Sequence, residues 1–228
     1  MIMKVKQLLF SLAIISFLFF SCKKKISYQS PINISTGTVY KDSSLSPLFI
    51  DYYPIDSFKI KKNKNRFYIT NLQGTVTSPD TTYWGHEYFL SMINIITPSE
   101  HSINNKKYPA ELQFINIDSS GNILAIAVFI EKGSFNPSLS PIISSITKKL
   151  NNKIVYKQIN INELTSPTAQ FWSYIGSLTF PPYKENVKWF VFKQPIYASQ
   201  QQLDSLYKTL GNNSRKIQEL NNRKITEF

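Results

Sequence analysis

The chemistry open to this chain is bounded by how few of its side chains can carry any. Histidine occurs twice in 228 residues, at His86 and His101, and cysteine once, at Cys22. Two imidazoles cannot build a three-histidine metal site within one chain, and one thiol cannot form an intramolecular disulfide. The patterns that mark other chemistries are missing as well. The sequence holds no Gly-x-Ser-x-Gly nucleophile elbow, no phosphate-cradling glycine loop and no His-Glu-x-x-His helix.

Cys22 sits where a thiol has a different use. Lys4 and Lys6 form a positive start, Leu8 to Phe20 an apolar run, and Ser21-Cys22 follows at once. The run has signal-peptide length and falls short of the ~20 residues of a membrane-spanning helix. A cysteine there resembles a bacterial lipobox, in which the thiol takes a diacylglyceryl group; the alternative is an uncleaved anchor with an incidental cysteine. Residues 1–22 are thus expected to be a lipoprotein leader and 23–28 a basic tether. An exported bacterial lipoprotein follows, of the outer membrane facing the periplasm or the cell surface, held to the membrane through Cys22. The net charge of +12 favours anionic surfaces such as phospholipid or acidic glycans. No nucleic-acid-binding motif accompanies it, so nucleic acid is not expected as a partner.

From residue 29 to 228 nothing divides the chain, so a single domain is expected. Runs rich in β-branched and aromatic residues predict strands over 48–53, 67–75, 88–96, 112–116, 123–131, 154–159, 171–178 and 187–193. A helix is expected over 138–150, with Pro141 near its first turn. A second begins at Ser199, with Gln202 spaced for a capping box and Leu203, Leu206, Tyr207 and Leu210 as its apolar stripe. The class is mainly β with peripheral helices.

Four segments in order resemble the α-class carbonic anhydrases. They are Gln29-Ser30-Pro31-Ile32-Asn33-Ile34; Thr97-Pro98-Ser99-Glu100-His101-Ser102-Ile103-Asn104 with Tyr108-Pro109-Ala110-Glu111-Leu112; Gly176-Ser177-Leu178-Thr179-Phe180-Pro181-Pro182 with Val187-Lys188-Trp189; and Asn212 to Lys224 with Arg215, Gln218, Leu220, Asn221 and Arg223. The resemblance implies a central, twisted, mostly antiparallel sheet of about ten strands around a conical cleft.

In that family three histidines hold a zinc ion that lowers the pKa of bound water to ~7. The resemblance places Asn94, Ile96 and Gln113 at those three positions. Ile96 has no donor atom, and neutral amides are poor partners for zinc. No metal and no cofactor are therefore expected, and these are vestigial ligand positions. Thr179 matches the threonine that binds the zinc hydroxide and Glu100 the glutamate that orients it. Glu111 matches a residue behind the ligands and, with Gln113 beside it, is expected to bond an amide. Phe180 stands for a second threonine and is expected to narrow the cleft. Leu178, Val187 and Trp189, with Ile115 and Ala125 beside them, match the apolar wall where carbon dioxide rests; plain core packing explains them equally well. His101 matches a structural histidine, and His86 is expected at the surface or in a hairpin. Asn71-Leu72-Gln73-Gly74 is the nearest match to the proton-shuttle stretch and lacks its histidine.

The resulting expectation is a pseudoenzyme, a lipid-anchored scaffold for binding or assembly with an envelope protein or glycan partner. Two alternatives stay open: an enzyme with a rebuilt, metal-free site using Glu100 with Asn94 and Gln113 as oxyanion donors, or residual carbonate dehydratase activity with ligands borrowed from a second chain.

Overall fold

Strands with water on one side alternate apolar and polar residues, whereas strands covered on both sides are apolar throughout. Both kinds occur in this computed structural model, which describes residues 27–42, 47–78, 86–165 and 170–228. The leader, Cys22 and most of the tether lie outside the described residues.

One sheet of 13 strands dominates: β1 (Tyr40–Lys41), β2 (Phe49–Tyr52), β3 (Phe58–Asn63), β4 (Arg66–Thr70), β5 (Gly74–Thr77), β6 (Glu87–Ile96), β7 (Ala110–Ile117), β8 (Ile123–Lys132), β9 (Lys153–Val155), β10 (Phe171–Ser177), β11 (Glu185–Phe192), β12 (Ile196–Ala198) and β13 (Thr226–Glu227). Its main path runs β9-β3-β4-β6-β7-β8-β11-β10-β13-β1, while β5 joins β2 to β6 and β12 pairs with β8. Pairing is antiparallel except where β8 meets β11 and β12, and where β13 meets β1. The main path alone holds ten strands, the number the resemblance implies, and β2, β5 and β12 branch from it; β2 falls in the run predicted over 48–53, whereas β1, β3, β12 and β13 were not predicted.

The central strands have no wet face. From Ala110 to Asn116 every residue of β7 is buried, and so is every residue of β8 from Ile123 to Ile130. Ile93, Ile95, Leu112, Phe114 and Ile126 point into one apolar cluster that also takes the buried residues of the two helices. Ile115, Ala125, Ala127, Val187 and Trp189 point the other way into a second cluster. Burial of both faces explains why β7 and β8 read as continuous apolar runs.

Helix α1 (Leu139–Thr147) is shorter than expected at its C-terminal end. Ser138 precedes it without capping it, its hydroxyl donating instead to the Glu163 carboxylate, while Asn136 Oδ1 accepts from the backbone of Leu139. Helix α2 (Gln200–Leu210) starts with the full capping box of Ser199 and Gln202. Leu203, Leu206 and Leu210 are buried as its stripe requires, but Tyr207 is 57% exposed. The chain also breaks twice where unbroken strands were expected. Asn71, with φ 63°, separates β4 from β5. The run after Lys153 ends at Val155 and resumes as Ile159–Asn160, which pairs with Pro54–Ile55. β3 was not expected at all, since its outer half is Lys61-Lys62-Asn63 and edge lysines weaken a strand pattern.

Gly176 shows how tightly β10 is held against the N-terminal segment. A Cβ there would lie 2.1 Å from Ser30 Oγ and 2.8 Å from Tyr174 Cε2. Gly176→Ala is therefore expected to destabilise the fold by about 2 kcal/mol, as overpacking does. Urea unfolding measures it, and a change below half that size would show that Ser30 can give way.

Candidate functional site

The cleft is assembled by strand register. Asn94 and Ile96 lie two apart on β6 and so project from one face. Antiparallel β7 sets Gln113 opposite Asn94 and Glu111 opposite Ile96. On the other flank β4 sets Tyr68 opposite Asn94. β8 places Ala127 opposite Gln113 and Ala125 opposite Ile115, and β11 places Trp189 beside Ala125. Asn94, Ile96 and Gln113 thus share a face, all fully buried.

Gln113 sits at the centre of a buried hydrogen-bond network. Its Nε2 donates to Glu100 Oε2 at 2.8 Å and to Glu111 Oε1 at 2.9 Å, while its Oε1 accepts from Thr179 Oγ1 at 2.9 Å. The threonine and the glutamate that the family resemblance pairs are therefore bridged here by an amide. Glu111 Oε1 also meets His101 Nδ1 at 2.8 Å, and its Oε2 accepts the backbone N–H groups of Glu100 and His101. Burial pushes the Glu111 carboxyl upward, but the adjacent His101 and these hydrogen bonds outweigh it and hold the group below its usual range. His101 Nε2 reaches the Tyr174 hydroxyl at 2.7 Å, which donates to Ser30 Oγ. Burial also pushes the Tyr174 phenol far above its ordinary value. His101 is a buried structural residue, as expected. His86 is exposed, and its carbonyl accepts from Ser78 N beside the β5–β6 pairing.

Two arginines complete the arrangement, and sequence reasoning named neither for the cleft. Arg66 shares a face of β4 with Tyr68, and by the register of Phe67 with Ile95 it stands opposite Ile96. Its Nη2 donates to Glu100 Oε1 in a close ion pair and to the carbonyl of Thr179 at 3.3 Å. Arg215 gives its backbone N–H to the same Glu100 oxygen and its Nη1 to Gln29 Oε1 and the Ser30 carbonyl. The signal for Arg66 was the alternation of β4, in which buried Phe67 and Ile69 leave Arg66 and Tyr68 on the cleft face.

Above the network the cleft is narrow. Phe180 packs edge-on against Tyr68, ring centroids 5.5 Å apart. A cavity of about 440 Å³ opens outside this pair, lined by Lys61, Lys62, Asn63, Tyr68, Thr70, Met92, Asn152, Phe180 and Pro181. On the inner side Ile115, Ala125, Leu178, Val187 and Trp189 belong to one apolar cluster. The Trp189 indole donates to the carbonyl of Ser177 and packs against the His101 ring.

These residues do not fit a zinc ion. Ile96 contributes no donor, and both ends of the Gln113 amide are engaged by Glu100, Glu111 and Thr179. That leaves the Asn94 side chain, whose Oδ1 and Nδ2 are buried without a hydrogen-bond partner. One neutral amide oxygen is not a zinc site. Among the described residues no group of three or more His, Cys, Asp or Glu side chains is placed to hold a metal ion.

Known proteins show the same frame. A carbonic anhydrase of Klebsiella pneumoniae is 31% identical over 202 residues, covering 87% of this chain and 79% of that protein. A carbonic anhydrase of Nostoc is 30% identical over 204 residues, covering 87% and 75%. Among solved structures, the α-carbonic anhydrase of Thermovibrio ammonificans in complex with sulfanilamide superposes with a TM-score of 0.76 at 30% identity, covering 87% of this chain and 86% of that one. The profile of the eukaryotic-type carbonic anhydrases matches residues 18–228, and the chain belongs to that family.

Proposed function

We propose that this chain is a metal-free member of its family, a pseudoenzyme that serves as a lipid-anchored binding or assembly protein of the bacterial envelope. The observation that carries this reading is the Gln113 amide, whose two ends bind two buried carboxylates and Thr179 at the position where the family resemblance puts a zinc ligand. Ile96 at a second such position supports it. The anchor is Cys22, the site is the outer membrane, facing the periplasm or the cell surface, and the partner is an envelope protein or glycan.

The competing reading is carbonate dehydratase activity, the activity named for the Klebsiella and Nostoc relatives. It needs zinc ligands from a second chain. A rebuilt metal-free enzyme using Glu100, with Asn94 and Gln113 as oxyanion donors, has a narrower footing: Gln113 Nε2 is committed to carboxylates, so Asn94 alone keeps a donor to spare.

Purified full-length protein is expected to hold zinc far below one equivalent and to hydrate carbon dioxide at the uncatalysed rate. Metal analysis and a stopped-flow assay measure both, and a clear rate abolished by Glu100→Gln would overturn the proposal. The combined variant Asn94→His, Ile96→His and Gln113→His is expected to gain zinc that survives gel filtration, since the three positions share one face. No gain, even with Phe180→Thr to open the mouth, would mean that the positions do not correspond to a ligand set. Gln113→Leu strips a donor from two buried carboxylates and is expected to cost about 2 kcal/mol in urea unfolding. Asn94→Leu removes two orphaned atoms and is expected to be neutral or stabilising; the reverse order of the two would show that Asn94 has a partner.

A further inference from the structure

The outer edge of the sheet carries a concentration of positive charge that the cleft does not use. β9 pairs with β3 so that Lys153 lies opposite Ile60 and Ile154 opposite Lys59. The loop before β9 is tied to the same strand, with Asn152 N donating to the Ile60 carbonyl and Asn151 Oδ1 accepting from Lys62 N. This brings together Lys59, Lys61, Lys62 and Lys64 from one segment with Lys148, Lys149, Lys153 and Lys157 from another about 90 residues away. Neither segment, 58–65 or 148–160, contains an Asp or Glu. No ion pair is formed by any of these eight lysines among the described residues. Seven of them are exposed and Lys59 is half-buried.

Apolar side chains stand among these charges. Ile154 is 51% exposed and Tyr156 82% exposed, between Lys153 and Lys157. Edge lysines alone are explained by the need to stop a sheet edge from pairing with another chain. That need does not call for a protruding tyrosine and isoleucine. Lysines flanking an exposed tyrosine and isoleucine match a bilayer interface, where the ring sits at headgroup level and lysines meet anionic phosphates. A purely polyanionic partner would leave the apolar pair without a role.

The position relative to the N-terminus agrees. Lys61 and Lys62 line the same cavity as Phe180 and Pro181. The Tyr183 carbonyl, two residues past Pro181, accepts from Gln29 Nε2, and Ser27 Oγ donates to Glu185. The lysine edge and the first described residues are thus joined through one loop at the rim of the cleft.

We infer that this edge, with Tyr156 and Ile154 at its tip, is a docking surface for an anionic phospholipid bilayer. The surface acts beside any lipid on Cys22 and orients the rim of the cleft toward the membrane. It is independent of whether the cleft binds metal. The test uses the full chain with Cys22→Ser, so that a single new cysteine can carry an environment-sensitive fluorophore. With Tyr156→Cys, emission is expected to rise on vesicles containing phosphatidylglycerol and not on phosphatidylcholine alone. With Tyr40→Cys, on the strand at the opposite end of the sheet path, no rise is expected on either. Lys153→Gln with Lys157→Gln is expected to lower the ratio of docked to undocked label about 30-fold, the effect of two headgroup contacts. Equal responses at positions 156 and 40, or on the two kinds of vesicle, would overturn the inference. So would binding to heparin without any vesicle response, which would assign the lysines to a polyanionic glycan.

Discussion

Glu100 and Glu111 are fully buried carboxylates that share one amide nitrogen, Gln113 Nε2, at 2.8 and 2.9 Å. Placing two such groups side by side in a protein interior is expensive, because an unpaired buried charge costs several kcal/mol in lost hydration. The surrounding arrangement follows from that cost. Glu100 receives the Arg66 guanidinium and a backbone N–H of Arg215. Glu111 receives the His101 ring and two backbone N–H groups. Among the described residues Gln113 is the only side chain that hydrogen-bonds both, and its neutral amide adds donors without adding charge.

The same network ties distant parts of the chain to the sheet. From Thr179 it runs through Gln113 and Glu111 to His101, then through Tyr174 to Ser30 in the N-terminal segment. Arg215, in the C-terminal stretch, closes back onto Ser30 and Gln29 and gives its backbone to Glu100. The His101, Tyr174 and Trp189 rings pack together around this line. The absence of a side chain at Gly176 leaves room for the Ser30 hydroxyl. Segments that carry the family resemblance are thus the ones that meet here.

Much of this was legible from the residues. The long apolar runs of β7 and β8 follow from burial on both faces, and the i, i+2 spacing of Asn94 and Ile96 is enough to put them on one face. The capping box at Ser199 was readable because it depends on two residues three apart. Tyr207 was not, because helical spacing alone cannot say how wide the buried stripe is; α2 buries Leu203, Leu206 and Leu210 and leaves the tyrosine in water. Arg66 was missed for a related reason. A lone arginine at the start of a strand looks like a solvated edge residue until pairing with β6 places it over Ile96. Lys153 of β9 lies more than 90 residues from the lysines of β3, so their convergence is a tertiary fact.

Charge bookkeeping makes the composition of the cleft consistent with the proposed metal-free reading. A zinc ion would bring two positive charges into this space, and the carboxylates behind it would be balanced in part by that ion. Here the three implied ligand positions hold two amides and an isoleucine, all uncharged, and the guanidinium of Arg66 stands opposite Ile96 and paired with Glu100. A cation so placed pairs with Glu100 and repels a dication that approaches the same space. The cleft face is not a fully apolar replacement, however. Both polar atoms of the Asn94 side chain are buried and unpartnered, at a cost of about 1–3 kcal/mol for each group left unmet. The stability of the face therefore comes from the satisfied Gln113 side of the sheet, and Asn94 is carried as a penalty by the well-packed strands on either side of it.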